Sequence, residues 1–360
     1  GWGHTQETFQ MLDNTPILSI DLVSIADSLF IVPDLSHISE VKDSEHGMFL
    51  TPTEAPDMNI LIAPARKTGF VRFGDGIKAG ADSDGFIMTY GTEDECIALA
   101  DLYRKSGRQM MKERKERISG LITDYNYVKT NLPSLDSALN WITITMDELI
   151  TEQQGKGIYA GLPWFNEYWG RDMFISFPGA CLVTGQFVTA KQILKDFAQL
   201  QDTDPASETY GRIPNRANLE GILYNTTDGT PRLVIQALEV ARYSGDIDFL
   251  HDLYPAIKTS IDASIKNYTD ENGYLTHADA DTWMDVKRNG IPGSPRGNRA
   301  NDIQALWYGQ LTAGSEIARL MGDTASAEEW SGLATLLASN FERDYCAKDE
   351  ALIYDHLNSD

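Results

Sequence analysis

Three separate stretches of the sequence place flat aromatic side chains beside groups that form charged hydrogen bonds. The first, LPWFNEYWGRDMF, covers residues 162–174 and contains two Trp, two Phe and one Tyr, interrupted by Glu167, Arg171 and Asp172. Aromatic runs usually belong to a core, whereas adjacent charges usually belong to a surface. A segment that combines both is typical of a binding site for a ligand with an apolar face and a polar edge.

The other two stretches have the same mixed composition. GRIPNRANLEGILYNTTDG covers residues 211–229, and HADADTWMDVKRNGIPGSPRG covers residues 277–297. The side chains of the three stretches that we predict to bind a ligand are Trp164, Trp169, Arg171, Asp172, Asn215, Arg216, Tyr224, Asn225, Asp228, Trp283, Lys287 and Arg296.

A sugar ring matches this composition, because it has an apolar face of C–H groups and a rim of hydroxyls. Trp and Tyr rings can cover the face. Asp, Asn and Arg bind the rim, and Arg171 and Asp172 would grip neighbouring hydroxyls, one as donor and one as acceptor. In a single loop, a Trp beside an Arg is more often a packing contact than a ligand contact. Three such loops on one scaffold favour carbohydrate.

The residues between these stretches have the periodicity of helices from about residue 134 onward. Short turns at Gly185, Gly245 and Gly322 alternate with long connections, and a glycine at each turn supplies a left-handed helix end. Antiparallel helix pairs place all the long connections at one end, which is the pattern of an α/α toroid. The seven predicted helices cover residues 135–150, 172–184, 187–200, 231–244, 246–268, 302–321 and 326–345.

Residues 1–92 have a different pattern, that of β-strands. Short apolar or alternating runs such as PILSIDLVSI, MNILIAPA and DGFIMTY are separated by Pro, Gly and Asp, which predicts an antiparallel sandwich, complete or partial. A helix rich in Lys, Arg and Glu follows over about 93–122 and is predicted to be a solvated connection. We therefore predict an α+β multidomain chain: a sandwich-like domain over 1–92, a helical linker over 93–130 and a toroid domain over 131–360.

The overall composition excludes several classes of function. The 30 Lys and Arg against 53 Asp and Glu give a net charge of −23, which disfavours nucleic acid and anionic membrane surfaces. A neutral, hydroxyl-rich substrate suffers no such repulsion. Three distant cysteines form neither a disulfide framework nor a zinc motif, and no apolar run approaches the length of a membrane span. We predict a soluble protein without a cofactor or metal, with the cytoplasm favoured over the periplasm.

The stretches AGLPWFNEYWGRDMFISFPG, GRIPNR…YNTTDGTPRL, DTWMDVKRNGIPGSPRG and IQALWY resemble the C-terminal glucosidase domain of glycogen debranching enzymes. These are amylo-α-1,6-glucosidases, related at longer range to glucoamylases. The resemblance runs from about 155 to 320, in order. It implies an (α/α)6 toroid of twelve helices, of which about seven are present here. It also implies an α-glucan substrate: glycogen, a limit dextrin or a maltooligosaccharide.

The resemblance further implies inverting hydrolysis, in which one carboxylic acid protonates the glycosidic oxygen and a second carboxylate activates water from the opposite face. The acid matches Asp285, which its neighbours Trp283 and Met284 could shield enough to keep protonated. Arg171 and Asp172 match positions that hold the terminal glucose, with Trp169 and Trp283 lining it. Without the resemblance, Asp285 is as readily read as a helix cap or a partner of Lys287 or Arg288.

Two departures from the family pattern affect these expectations. Asp302 stands before IQALWY, where the family is expected to have Glu, and the shorter acid would weaken a sugar contact or a structural link. No carboxylate matches the family's base, which lies in the last third of the toroid. Because the sequence stops in ALIYDHLNSD, we expect a C-terminally truncated chain whose base lies beyond Asp360.

Three alternative functions remain open at this point. The same toroid could cleave another bond, as in other α-glucosidases, glucoamylases or trehalases. A chain without the base could bind α-glucan without hydrolysing it. A helical-repeat scaffold for protein interaction is the third alternative, but Trp164, Trp169 and Trp283 in separate long connections speak against it.

Overall fold

The computed structural model describes residues 5–24, 29–67, 69–79, 85–125, 128–153, 155–218, 221–347 and 351–358. The chain divides into two compact units, Gly1–Gly120 and Leu121–Asp360. Among the described residues, no helix combines the length and the apolar character needed to cross a lipid bilayer.

The first unit contains nine described strands and one helix. The strands are β1 (Thr5–Met11), β2 (Ile17–Ser24), β3 (Leu29–Ile31), β4 (Ile38–Asp43), β5 (Met48–Pro52), β6 (Asn59–Pro64), β7 (Phe70–Phe73), β8 (Gly76–Ala79) and β9 (Gly85–Gly91), and the helix is α1 (Glu93–Gly120). Six strands form an antiparallel sheet in the order β1-β2-β9-β6-β5-β4, and three form a smaller sheet in the order β3-β8-β7. The predicted antiparallel β region is therefore confirmed.

The large sheet of the first unit is buried on both faces. Along β6, Ile62 packs in one cluster with Ile77 of the small sheet. The next residue, Leu61, packs in a second cluster with Cys96 and Ala100 of α1, because successive side chains of a strand point to opposite faces. Helix α1, expected to be a solvated connection, thus packs one side on the sheet and exposes its charged side.

Over its described residues, the second unit contains seven α-helices, which confirms the seven predicted from periodicity. They are α2 (Pro133–Glu148), α3 (Gly170–Phe177), α4 (Phe187–Ala198), α5 (Gly229–Ser244), α6 (Leu250–Asn267), α7 (Asn301–Leu320) and α8 (Thr324–Tyr345). The three predicted turn glycines adopt the left-handed conformation, with φ of 74° at Gly185, 69° at Gly245 and 79° at Gly322. The helices share one core with large, fully buried side chains such as Phe174, Trp307 and Trp330.

The long connections are more regular than the sequence suggested. The first two contribute a five-stranded sheet in the order β10-β11-β12-β13-β14, formed by β10 (Ile150–Glu152), β11 (Lys156–Gly161), β12 (Phe165–Trp169), β13 (Arg216–Asn218) and β14 (Gly221–Leu223). Two-residue strands complete the unit: β15 (Lys287–Arg288), β16 (Ile291–Pro292), β17 (Arg299–Ala300) and β18 (His356–Leu357). Because β12 pairs with β13, the first and second stretches lie side by side.

Candidate active site

The three polar-aromatic stretches meet at the side chain of Arg171, in the first turn of α3. The start of α3 lies against the second stretch, where the Gly170 N–H donates to the Asn215 carbonyl at 2.7 Å. A Cβ at position 170 would lie 2.4 Å from the Pro214 carbonyl oxygen, so a glycine is required there for this close approach. The first stretch is thereby held against the second.

Arg171 binds two carboxylates that are distant in sequence. Its Nε donates to Asp228, which precedes α5 in the second stretch and is only 2% exposed. Its Nη1 lies 3.3 Å from Oδ2 of Asp285 in the third stretch, and its Nη2 donates to the Thr282 carbonyl at 2.9 Å. Burial alone lowers the pKa of Arg171, but the charges of Asp228 and Asp285 and the hydrogen bonds to them outweigh this and raise it. The cluster of Arg171, Asp228 and Asp285 therefore joins all three stretches.

Asp172 follows Arg171 in the same turn and is influenced by the same charges. Burial raises the pKa of its carboxyl group; the positive charge of Arg171 opposes this shift, and the negative charges of Asp228 and Asp285 add to it. The folded protein therefore holds a proton on Asp172 more tightly than an unfolded chain does. The Asp172 side chain is nonetheless exposed, so that in the ionised form it is an acceptor accessible to hydroxyl donors.

This shift predicts a pH-dependent gain in stability when Asp172 is neutralised. A carboxyl whose pKa is raised by folding favours the folded state below its unfolded pKa of about 3.9, and this contribution is lost as the pH rises through the raised value. We expect Asp172→Asn to raise the melting temperature, with a gain that grows from about pH 4 upward until the pH has passed the raised pKa of Asp172. Calorimetric melting of both proteins across this range measures it.

The control for this melting series is Asp279→Asn, which neutralises an exposed aspartate of the third stretch. It measures what the loss of one negative charge from the third stretch does to the melting temperature at each pH. An Asp172→Asn curve parallel to that of the wild type at all pH values would contradict a raised pKa of Asp172 in the folded protein.

The aromatic side chains predicted to cover a sugar differ in their surroundings. Trp169 ends β12 and is paired with Arg216 of β13, whose guanidinium lies 5.9 Å from the Trp169 ring centroid. Trp164 lies in the turn before β12 and is 83% exposed, and Trp283 is 54% exposed. Trp283 therefore cannot by itself shield Asp285 as the sequence suggested.

The amide and phenol groups of the second stretch form local contacts. Asn215 donates through its side-chain amide to Asn225 at 3.1 Å. The Tyr224 hydroxyl donates to the Leu200 carbonyl at 2.7 Å, and Arg212 donates to the Tyr224 carbonyl at 3.1 Å. These bonds fix the path of the second stretch toward Asp228, and they give Tyr224 a structural contact.

Two predicted binding residues of the third stretch do not belong to the cluster of Arg171, Asp228 and Asp285. Lys287 is exposed on β15. Arg296 is buried, with Nη1 2.8 Å from Asp302 and Nη2 2.6 Å from Asp355. Asp302 thus forms an ion pair with Arg296 in this chain. Asp285 pairs with Arg171, whereas the sequence offered Lys287 or Arg288 as partners of Asp285.

The structure also reveals site residues that the sequence did not single out. Twelve buried side-chain polar atoms in the described part of the chain have no hydrogen-bond partner, and six of them belong to the first two stretches or to the start of α5. Because buried polar groups are nearly always bonded, this concentration is typical of a place where water or ligand completes the bonding. The six residues are Trp169, Asn215, Arg216, Thr226, Thr227 and Arg232.

Arg232 is the most informative of these additions. Burial lowers its pKa, and the nearby charges of Asp228, Asp302 and Asp172 partly offset this shift. The arginine therefore lies within the same group of carboxylates as Arg171. It was missed because it occurs inside the apolar run of α5, where a single polar residue usually marks an exposed position.

This arrangement of helices is a glucoamylase-like fold. The chain is similar to a bacterial glucoamylase solved in complex with acarbose, with a TM-score of 0.59 and 13% identity over 94% of this chain and 55% of the glucoamylase. It is also similar to a GH78-family rhamnosidase of Bacillus sp. GL1, with a TM-score of 0.50 and 10% identity over 98% of this chain and 34% of that enzyme. The chain thus spans about half the length of the glucoamylase.

The family assignment follows from the sequence of the second unit and the end of α1. Residues 107–360 match the amylo-α-1,6-glucosidase family. The chain belongs to this family, which confirms the resemblance carried by the three stretches.

Proposed function

We propose that the protein is an inverting glycoside hydrolase that releases glucose from α-1,6 branch points of glycogen or limit dextrin. The observation that supports this most directly is the convergence of Arg171, Asp228 and Asp285, with Asp172 beside them. Family membership supports the bond, and the acarbose complex of the similar glucoamylase supports an α-glucan ligand.

In the proposed reaction, the terminal glucose binds beside Arg171 and Asp172. Asp285 donates its proton to the glycosidic oxygen as the bond to the anomeric carbon breaks. The Asp285 carboxylate that remains lies 3.3 Å from Arg171, whose positive charge stabilises it. A second carboxylate, which we do not assign to a residue, removes a proton from the water that attacks the opposite face.

Asp228 supports this chemistry without contacting the sugar in our proposal. Its buried carboxylate accepts from Nε of Arg171 and so fixes the direction of the guanidinium. A fixed guanidinium can contact Asp285 with little loss of side-chain entropy, because Arg171 has already been ordered in the free protein. The ion pair is thus a positioning element for the acid.

Proton NMR of the hydrolysis of a limit dextrin tests the reaction. Inversion at an α-linkage predicts that β-glucose appears first and then equilibrates to the mixture of anomers. A panel containing isomaltose, maltose and trehalose assigns the bond, and the α-1,6-linked sugar is expected to be cleaved fastest. Initial release of α-glucose would contradict inversion, and preference for maltose or trehalose would favour another glucosidase of this fold.

A binding function without hydrolysis is the second candidate, because no described carboxylate has been matched to the base. Calorimetry with a maltooligosaccharide distinguishes the two. Saturable binding without any release of glucose from the panel would favour the binding function.

A further inference from the structure

The first unit contains a cavity of about 900 Å³ between α1 and the large sheet. This volume lies within the range of small-molecule sites. Its apolar part includes Ala65, Gly107 and Met111, and Tyr103 contributes a hydroxyl that lies 2.8 Å from the Ser19 hydroxyl. All the lining residues belong to the first unit, whereas the candidate active site belongs to the second.

The lining of this cavity has a charge opposite to that of the chain. Lys and Arg make up 30 of 360 residues, or one in twelve, but they make up five of the twelve residues that line the cavity. Among the lining residues that the structure describes, the only acidic one is Asp21. In a chain with a net charge of −23, such a concentration of positive charge is a local feature that bulk composition does not explain. The five cationic residues are Arg66, Arg104, Lys105, Arg108 and Lys112.

Three of these residues lie on one face of α1, because Arg104, Arg108 and Lys112 are spaced by four residues. Arg66 approaches from the segment after β6, so the charges come from two elements. Arg104 pairs with Asp101 at 3.1 Å and Lys112 with Glu116 at 3.6 Å, so each of these two cations already faces one carboxylate of α1. A bound anion would add a further acceptor on the cavity side of this face.

Arg104 provides a second, independent observation. Its side chain is 13% exposed, and Nη1 donates to Asp101 at 3.1 Å while Nη2 donates to the Pro64 carbonyl at 3.2 Å. Its Nε is buried and has no acceptor among the residues that the structure describes. Two other hydrogen bonds hold the Arg104 guanidinium in place, while its Nε–H has no acceptor among these residues. Because buried donors are nearly always bonded, an acceptor from a ligand or water is expected there.

We propose that this cavity binds a small phosphate-bearing metabolite. Guanidinium groups match the oxygens of phosphate in paired hydrogen bonds, and lysines add charge without strict geometry. Asp21 and the hydroxyl of Tyr103 line the cavity and offer hydrogen-bond partners for the non-phosphate part of the ligand. The site is independent of the proposed glycosidase chemistry.

Isothermal titration calorimetry of the full chain at constant ionic strength tests this site. The probes are inorganic pyrophosphate, glucose 1-phosphate and AMP, which distinguish the bare anion, a sugar phosphate and a nucleotide. At least one is expected to bind saturably with one ligand per chain. Failure of all three to bind would overturn the proposal.

Variants distinguish specific binding of the anion in this cavity from general attraction of anions to the positive charge of α1. Lys105→Ala/Arg108→Ala removes two exposed side chains of the cavity and is expected to weaken binding at least ~10-fold, since it removes two cationic donors that would hydrogen-bond the phosphate. Arg104→Met removes the unmet donor and should weaken binding by a similar factor.

The matched control is Lys115→Ala, an exposed lysine of the same helix outside the cavity. It is expected to change the dissociation constant less than ~2-fold at constant ionic strength. An equal loss of affinity in this control and in the double variant would show that binding reflects only the positive charge of α1, and it would overturn the proposal.

Discussion

Asp285→Asn is expected to lower glucose release from limit dextrin by about 10²- to 10⁴-fold, the usual contribution of a general acid. Asparagine preserves the shape of the side chain but has no acidic proton for the glycosidic oxygen. The rate is measured with the full-length protein at saturating substrate. Sugar binding measured by calorimetry should change much less than the rate, because the acid acts mainly in the transition state.

Two comparisons make this result specific to Asp285. Asp279→Asn lies in the same stretch and is expected to retain the wild-type rate. A substrate with a good leaving group, such as an α-glucosyl fluoride, needs little protonation and should recover much of the lost rate in Asp285→Asn. A rate within a few fold of wild type on limit dextrin would mean that Asp285 is not the acid.

Arg171→Ala is expected to lower the free energy of unfolding of the second unit by about 3–5 kcal/mol. The reason is that Asp228, 2% exposed, would keep a buried charge without its cationic partner. Urea unfolding followed by tryptophan fluorescence measures this change. Six of the seven tryptophans lie in the second unit, so the signal reports mainly on that unit.

The matched control is Lys195→Ala, which breaks the largely exposed pair with Asp252 and should cost about 0.2–1 kcal/mol. The double variant Arg171→Ala/Asp228→Asn removes the unpaired charge and should be more stable than Arg171→Ala alone. If Arg171→Ala were no more destabilising than Lys195→Ala, the buried ion pair of Arg171 and Asp228 would not stabilise the second unit as we propose.

The sequence predicted the elements well because each helix carries its own periodic signal. Gly185, Gly245 and Gly322 mark the short turns because only a glycine readily takes the left-handed conformation found there. The sheet formed by β10–β14 was missed, because strands of three to six residues are too short to show an alternating pattern. The pairing of β12 with β13, which brings Tyr168 opposite Ala217, joins segments that are far apart in sequence.

The pairing of charged residues could not be predicted from the sequence, because the partners are far apart along the chain. Arg171 and Asp172 were predicted to act as adjacent partners on a sugar, yet Arg171 bonds to Asp228 and Asp285, which lie 57 and 114 residues away. Arg296 was predicted to bind substrate, yet its guanidinium is engaged by Asp302 and Asp355. A buried arginine must find carboxylates somewhere in the fold, but local sequence does not say which.

The measurement that tests the central claim most directly is an experimental structure of the protein with panose, a trisaccharide that contains an α-1,6 bond. We predict a terminal glucose unit within hydrogen-bond distance of Arg171 and Asp172, with its glycosidic oxygen facing Asp285. A sugar bound away from all three side chains, in a protein that releases glucose from limit dextrin, would contradict a shared pocket formed by the three stretches.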